Sequence, residues 1–217
     1  MTPISLLDAK RLPFRENRIL QLMIAGYALI WIAAAIAPRD WPTWLLENIL
    51  VAIAIGVLAL SYRRFTFSNL SYLLIALFLA LHAIGAHTGY MHSPVGAWLR
   101  DTFELRRNPY DRVIHCAFGL LLAYPLRELL VRTGGIGGWA ANWFPVILVL
   151  AASTCFEVIE SVIAEMVSPG NGPAWLGAQG DEWDAQLDMG VALLGAAAAM
   201  LITWWRTRSP GAHAAPS

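Results

Sequence analysis

Asp181, Asp184 and Asp188 stand at i, i+3 and i+7 at the head of an apolar run that reaches Trp205. On a helix this spacing lines up three carboxylates on one face. Ser153, Glu157 and Glu160 repeat the device at i, i+4 and i+7 inside another apolar run, and Asp111 and His115 stand four apart at the head of a third. His82 and His87 are five apart, turned about 140° from each other, so both need not face one point. Imidazoles and carboxylates gathered in this way suit a divalent metal such as zinc, manganese or iron, and helix-borne Glu and His inside a bundle are the pattern of di-metal sites. His82, His115, Asp184 and Asp188 are therefore the candidate metal ligands. Glu157 and Glu160 are the candidate catalytic pair, as ligand or general base. Asp111, Arg112, Arg100, Tyr110, Asp181, Gln179 and His87 are the candidate binding residues around them. The simplest chemistry for such parts is attack of metal-activated water on an ester or phosphoester. Each group also has a plainer reading. Acids in a first turn favour the helix dipole, Asp111 can pair with Arg107 or Arg112, and an intramembrane His can bond one helix to another.

The elements that must position these groups cross a membrane. The chain has 217 residues, 58% of them hydrophobic and 14% charged, with a mean hydropathy of +0.55, whereas a soluble domain carries about 25% charged residues. Six apolar runs have a length near the roughly 20 residues needed to span the hydrocarbon core: 19–37, 44–61, 69–90, 110–131, 139–166 and 183–205. The sequence therefore predicts an all-α polytopic membrane bundle of about six transmembrane helices, with a short amphipathic interfacial helix near 95–107 carrying Trp98, Phe103 and Leu105 among charges. Residues 1–18 form a cytoplasmic N-terminal segment, 19–205 a single transmembrane domain, and 206–217 a cytoplasmic disordered tail. Trp41, Trp44, Trp98, Trp139, Trp143, Trp175, Trp183, Trp204 and Trp205 fall near predicted ends, where amphipathic rings favour the interface.

Basic residues orient the bundle. With the N-terminus inside, the inner segments hold Lys10, Arg11, Arg15, Arg18, Arg63, Arg64, Arg127, Arg132, Arg206 and Arg208, against Arg39, Arg100, Arg106, Arg107 and Arg112 outside. Both termini are then cytoplasmic. In this topology four helices bring His82, Asp111, His115, Glu157, Glu160, Asp184 and Asp188 to one depth near the outer face. The inner halves of the third to sixth spans read as almost wholly apolar, which argues against a continuous polar pathway.

Fifteen basic and fifteen acidic residues cancel, so nothing points to nucleic acid. Membrane lipids and a lipid-linked substrate are the expected partners. Cys116 and Cys155 lie in predicted spans as small buried residues rather than a disulfide, and the charged N-terminus lacks the pattern of a cleaved signal peptide. No Ser-centred elbow, Walker loop or CxxC motif offers a rival chemistry. Gly195 to Ala199 allow close helix contact, within or between chains. The leading expectation is a membrane-embedded, metal-dependent hydrolase acting on a lipid or lipid-linked substrate at the outer leaflet. The alternative is a non-enzymatic protein that binds or transports an ion or small ligand with the same acids.

The stretches GYMHSPVGAWLRDTFELRRNPYDRVIHCAFG, FEVIESVIA and LGAQGDEWDAQLDM resemble the signature blocks of the YjdF-like family of bacterial inner-membrane proteins, over roughly Leu70 to Ile202. That family supplies no settled reaction. More distantly, YDRVIHCAFG, the Glu157 region and DAQLDMGVALLG are similar to the VanZ-like pattern, in which Asp-x-x-x-His opens one helix, a Glu lies in the next and an Asp starts the last. Asp111, His115, Glu157, Asp184 and Asp188 occupy those places. VanZ-like proteins are linked to reduced sensitivity to a glycopeptide antibiotic, which implies envelope lipids or their precursors. The Gln-rich segment typical of that group is replaced here by Glu157 and Glu160.

Overall fold

A computed structural model of the chain describes residues 13–167 and 179–208. Residues 1–12 of the expected N-terminal segment, Trp175, and residues 209–217 of the expected tail lie outside these. Among the described residues the protein is all-helical: α1 (Arg18–Ala34), α2 (Trp41–Ser61), α3 (Asn69–Thr88), a 3₁₀ turn (Tyr90–His92), α4 (Pro94–Thr102), α5 (Tyr110–Gly134), α6 (Ala140–Val167) and α7 (Asp184–Arg208). Five of these helices are long and apolar enough to cross a membrane, and α1 is a shorter apolar helix. The bundle of about six spans expected from hydropathy is thus present.

Local chemistry sets the helix ends. Asn17 caps α1 by accepting from the Leu20 amide, and Asp40 caps α2 by accepting from the Thr43 amide at 2.8 Å, each satisfying a donor the first turn leaves open. α3 stops two residues short of its expected end, because Gly89 takes φ +70° and turns the chain into the 3₁₀ segment. A positive φ of this kind suits glycine, which has no Cβ. The interfacial helix also ends early, at Thr102, and Glu104 adopts φ +51° just beyond it. α4 holds Trp98 exposed on its surface and buries Gly96 beside Asn108 and Tyr110. Trp44 departs from the expected interfacial belt. It is buried, with its ring 5.5 Å from that of Trp31 and 5.4 Å from that of Trp41.

The core lies where α5, α6 and α7 meet, built from Ala123, Val146, Val149, Ala192, Ala196 and Met200. Small residues bring α5 and α7 into backbone contact, as packing between membrane helices favours. Gly119 lies against the backbone of Ala192 and Ala196, and Gly195 against that of Cys116 and Leu120. The Gly195–Ala199 run therefore serves contact within the chain. A methyl at Gly195 would press on the Cys116 carbonyl, which belongs to rigid backbone. Gly195→Ala is expected to cost about 1–3 kcal/mol as an overpacked contact. At Gly56 nothing lies within 4 Å of the added carbon, and Gly56→Ala is expected to be neutral or stabilising by up to about 1 kcal/mol. Denaturation of both variants in detergent checks the contrast.

The far end of the bundle corrects one expectation. It is not wholly apolar, because α5 buries Glu128 there. Glu128 accepts from the Ser68 amide at 2.8 Å, from the Ser68 hydroxyl at 2.7 Å and from the Ser71 hydroxyl, and it pairs with Arg132. Arg132 also donates to the Thr66 carbonyl at 2.7 Å and lies over the Phe65 ring. Next to this network Asn17 donates to Asn69 at 2.8 Å, so the starts of α1 and α3 and the end of α5 are joined by polar contacts.

Candidate metal centre and adjoining cavity

α5, α6 and α7 place His115, Glu157 and Asp188 together. All three are buried, and one donor atom from each lies within 4.8 Å of the other two. His115 Nε2 is 3.3 Å from Glu157 Oε1 and 3.8 Å from Asp111 Oδ1. Asp188 is 1% exposed. Its Oδ1 and Glu157 Oε1 are both buried without a hydrogen-bond partner. A buried carboxylate oxygen in that state is costly, and a cation between the three residues removes the cost. One imidazole and two carboxylates leave room for an exchangeable position, the arrangement of catalytic rather than structural sites. The donor set therefore fits a divalent zinc, manganese or iron ion.

Asp188 also belongs to a second group, with Asp111 and Asp184. Here the compensating charge comes from the protein. Arg107 pairs with Asp184, and Arg112 donates to Asp181 at 2.6 Å, with the two cross-pairs at 3.9 Å. The four residues form a lattice joining the connector before α5 to the start of α7. Gln179 strengthens it: it donates to the Asn108 carbonyl at 3.0 Å and accepts from the Asn108 amide at 3.2 Å. Asp181 precedes α7, and its carboxyl is held below its ordinary 3.8 by the Trp183 amide and by Arg112. A depressed folded-state pKa means that the Asp181 contribution to this lattice is present above the unfolded value and is lost as pH falls through the folded one. The protection factor of the Trp183 amide, its exchange rate corrected for the intrinsic pH dependence, is therefore expected to hold from neutral pH down to about 4 and to fall only below it, while Asp181→Asn lowers it throughout that range.

The other candidates are distributed around this centre. Tyr110 is buried and donates to the Leu81 carbonyl at 2.9 Å, tying α5 to α3. His87 Nδ1 lies 3.0 Å from the Ala34 carbonyl, tying α3 to the end of α1. His82 stands outside both carboxylate groups. Its Nδ1 is 2.7 Å from the Tyr90 hydroxyl and its Nε2 is 3.9 Å from Glu47 Oε2. Arg100 is exposed on α4 and pairs with its neighbour Asp101 at 2.8 Å.

Beside the centre lies a cavity of about 1100 Å³ between α2 and α3 on one side and α5 and α6 on the other. Its upper wall carries Glu47, His82, Tyr90, Asp111, His115 and Glu160; its deeper wall is apolar, with Val51, Ala54, Phe118 and Leu122. It opens sideways between α2 and α6, where Leu50 and Ile159 line it while 46% and 48% exposed. Glu47 was not among the residues singled out by spacing. Its signal is a single acid, six residues into the apolar run from Trp41, with no second polar residue at i+3 or i+4 to mark a face.

A model of the family described as "Predicted membrane protein (DUF2238)" matches residues 19–209. The chain belongs to this family. It is 38% identical over 179 residues to the inner membrane protein YjdF of Escherichia coli strain K12, covering 82% of this chain and 85% of that protein. The Ile19–Ser209 match takes in every candidate residue, from His82 to Asp188. No solved structure matches. These findings carry the YjdF-like resemblance and do not extend to the VanZ-like pattern. The protein is a polytopic membrane protein of the YjdF type, and neither description assigns a reaction.

Proposed function

We propose that this protein is an inner-membrane, metal-dependent hydrolase whose divalent ion is held by His115, Glu157 and Asp188, and which acts on a lipid or lipid-linked envelope substrate. The observation that carries the reading is a pair of buried oxygens without a hydrogen-bond partner, Asp188 Oδ1 and Glu157 Oε1, the latter 3.3 Å from His115 Nε2, at the wall of a cavity that is polar at one end and apolar at the other. When bound, the ion would supply Lewis acidity. Glu160 lines the cavity on the same helix as Glu157, where it can take a proton from water placed against the substrate head. The sideways opening between α2 and α6 lets an amphiphile enter from the bilayer without leaving it. The excess of Arg and Lys in the segments at the Glu128 end orients the cavity toward the outer leaflet and both termini toward the cytoplasm.

The competing reading is a binding or transport protein. It needs polar groups continuing along the bundle axis, and the core between the two polar ends is Ala123, Val149, Ala192 and Ala196, all fully buried. That packing favours the hydrolase. The test is elemental analysis of the purified protein beside a Glu157→Ala, Asp188→Ala double variant. About one zinc, manganese or iron per chain in the wild type, absent from the variant, is expected. A metal-free wild type with no affinity for any of the three ions overturns the metal assignment.

A further inference from the structure

Carboxylic acids outnumber arginines and lysines on the cavity wall. Arg107 and Arg112 are committed to Asp184 and Asp181, and a divalent ion on His115, Glu157 and Asp188 takes two more carboxylates. Glu47 from α2, Asp111 from α5 and Glu160 from α6 still face the cavity. The groups facing them are His82, Tyr90, His92 and His115, with Arg39 and Asp40 together at the rim. The Asp40 carboxylate accepts from the Thr43 amide at 2.8 Å, and the single Arg39 charge at the rim is offset by that of Asp40. Among the described residues Glu47 and Asp111 form ion-pair contacts only with imidazoles, His82 at 3.9 Å and His115 at 3.8 Å, and three acids inside a membrane span without an Arg or Lys partner call for a cation. Ser153 gives a second sign that the wall is built for a ligand. It lines the cavity at 2% exposure, and its hydroxyl has no hydrogen-bond partner.

We infer that the cavity binds a cationic amphiphile: an alkyl chain between α2 and α6 with an ammonium group among Glu47, Asp111 and Glu160. This deepens the proposed function by naming its substrate class, and it rests on the reading that the cavity admits an amphiphile. Chain and head are separated as such a molecule requires. The head lies at the level of Glu47 and Asp111, and the chain runs along Leu50, Val51, Ala54 and Leu122, with one side toward the bilayer. The anionic wall disfavours a fatty acid of the same length, because like charges brought together out of water repel strongly.

The test is photo-crosslinking of the full chain in phosphatidylcholine nanodiscs at neutral pH, with three diazirine probes of one chain length: a primary alkylamine, the alcohol and the carboxylic acid. Labelled residues are read by mass spectrometry. The amine is expected to label Leu50, Ala54, Phe118 or Ile159 at least about tenfold more than the acid. Glu47→Gln with Glu160→Gln is expected to abolish that preference and leave labelling by the alcohol intact, which shows that the cavity persists. The single variants, made separately, carry the same test if the double variant fails to fold. Equal labelling by amine and acid overturns the cationic class, as does a preference that survives the substitutions. Absence of cavity labelling by all three probes overturns the amphiphile reading beneath it.

Discussion

Asp188→Asn is expected to move stability in opposite directions with and without a divalent ion. In ion-stripped protein the Asp188 carboxylate is buried, one oxygen has no hydrogen-bond partner, and Asp111, Glu157 and Asp184 surround it. An acid at the centre of a membrane helix costs about 2.5–3.5 kcal/mol, and Asp188, one turn into α7, carries the smaller cost of an acid nearer the interface. The isosteric amide removes that charge, and recovering about 2 kcal/mol raises the unfolding midpoint by about 4–8 °C. With ion present the order reverses. Wild type gains stability on binding. The variant, lacking one of three ligands, binds about 100-fold or more weakly and gains little. Thermal unfolding in detergent, with chelator and with added zinc or manganese, reads both signs. Equal stabilisation of the two proteins by the ion contradicts the assignment.

Glu128→Ala is expected to be the most damaging single change at the opposite end, costing about 3–5 kcal/mol. The carboxylate is buried at the junction of α3 and α5 and collects the Ser68 amide, two serine hydroxyls and Arg132. Truncation leaves a guanidinium without its carboxylate partner and several donors unpaired, and a buried group in that state keeps its full desolvation cost. Glu128→Gln retains an acceptor and should lose less. Because this network lies away from the candidate centre, ion binding by folded Glu128→Gln should equal that of wild type. Unfolding in detergent with ion titration measures both. A Glu128→Ala protein as stable as wild type would mean the network holds nothing together.

Much of this arrangement was legible in the sequence, for definite reasons. The spans announce themselves because the bilayer demands long apolar runs, and the Asp111/His115 spacing and the Ser153/Glu157/Glu160 stripe are visible as exceptions within them. Which exceptions meet is set by helix rotation and pairing, and residue spacing does not fix these. So His115, Glu157 and Asp188 converge, whereas His82 in the neighbouring helix turns to Tyr90 and Glu47. Asp184 shares the Asp188 face of α7, yet Arg107 and Arg112 reach it from the α4–α5 connector and the start of α5. That encounter depends on how a non-helical segment folds back. Glu47 is the lone acid of its span, and Glu128 lies far along α5 from Asp111, the other acid there; neither has an acidic neighbour at helical spacing to mark a face. Gly195 and Ala196 mark close packing in the sequence, but their partners on α5, Cys116 and Leu120 for Gly195 and Gly119 for Ala196, are set by how the helices pair.

The central claim is that three helices deliver one imidazole and two carboxylates to a single ion. X-ray absorption at the metal edge of protein loaded with one equivalent of zinc or manganese tests it most directly. One imidazole, seen by the outer-shell scattering of its ring, together with carboxylate oxygens is the expected ligand set, and the imidazole features are expected to vanish in His115→Ala. A fully hydrated, oxygen-only spectrum in the wild type, or an unchanged one in His115→Ala, would contradict it.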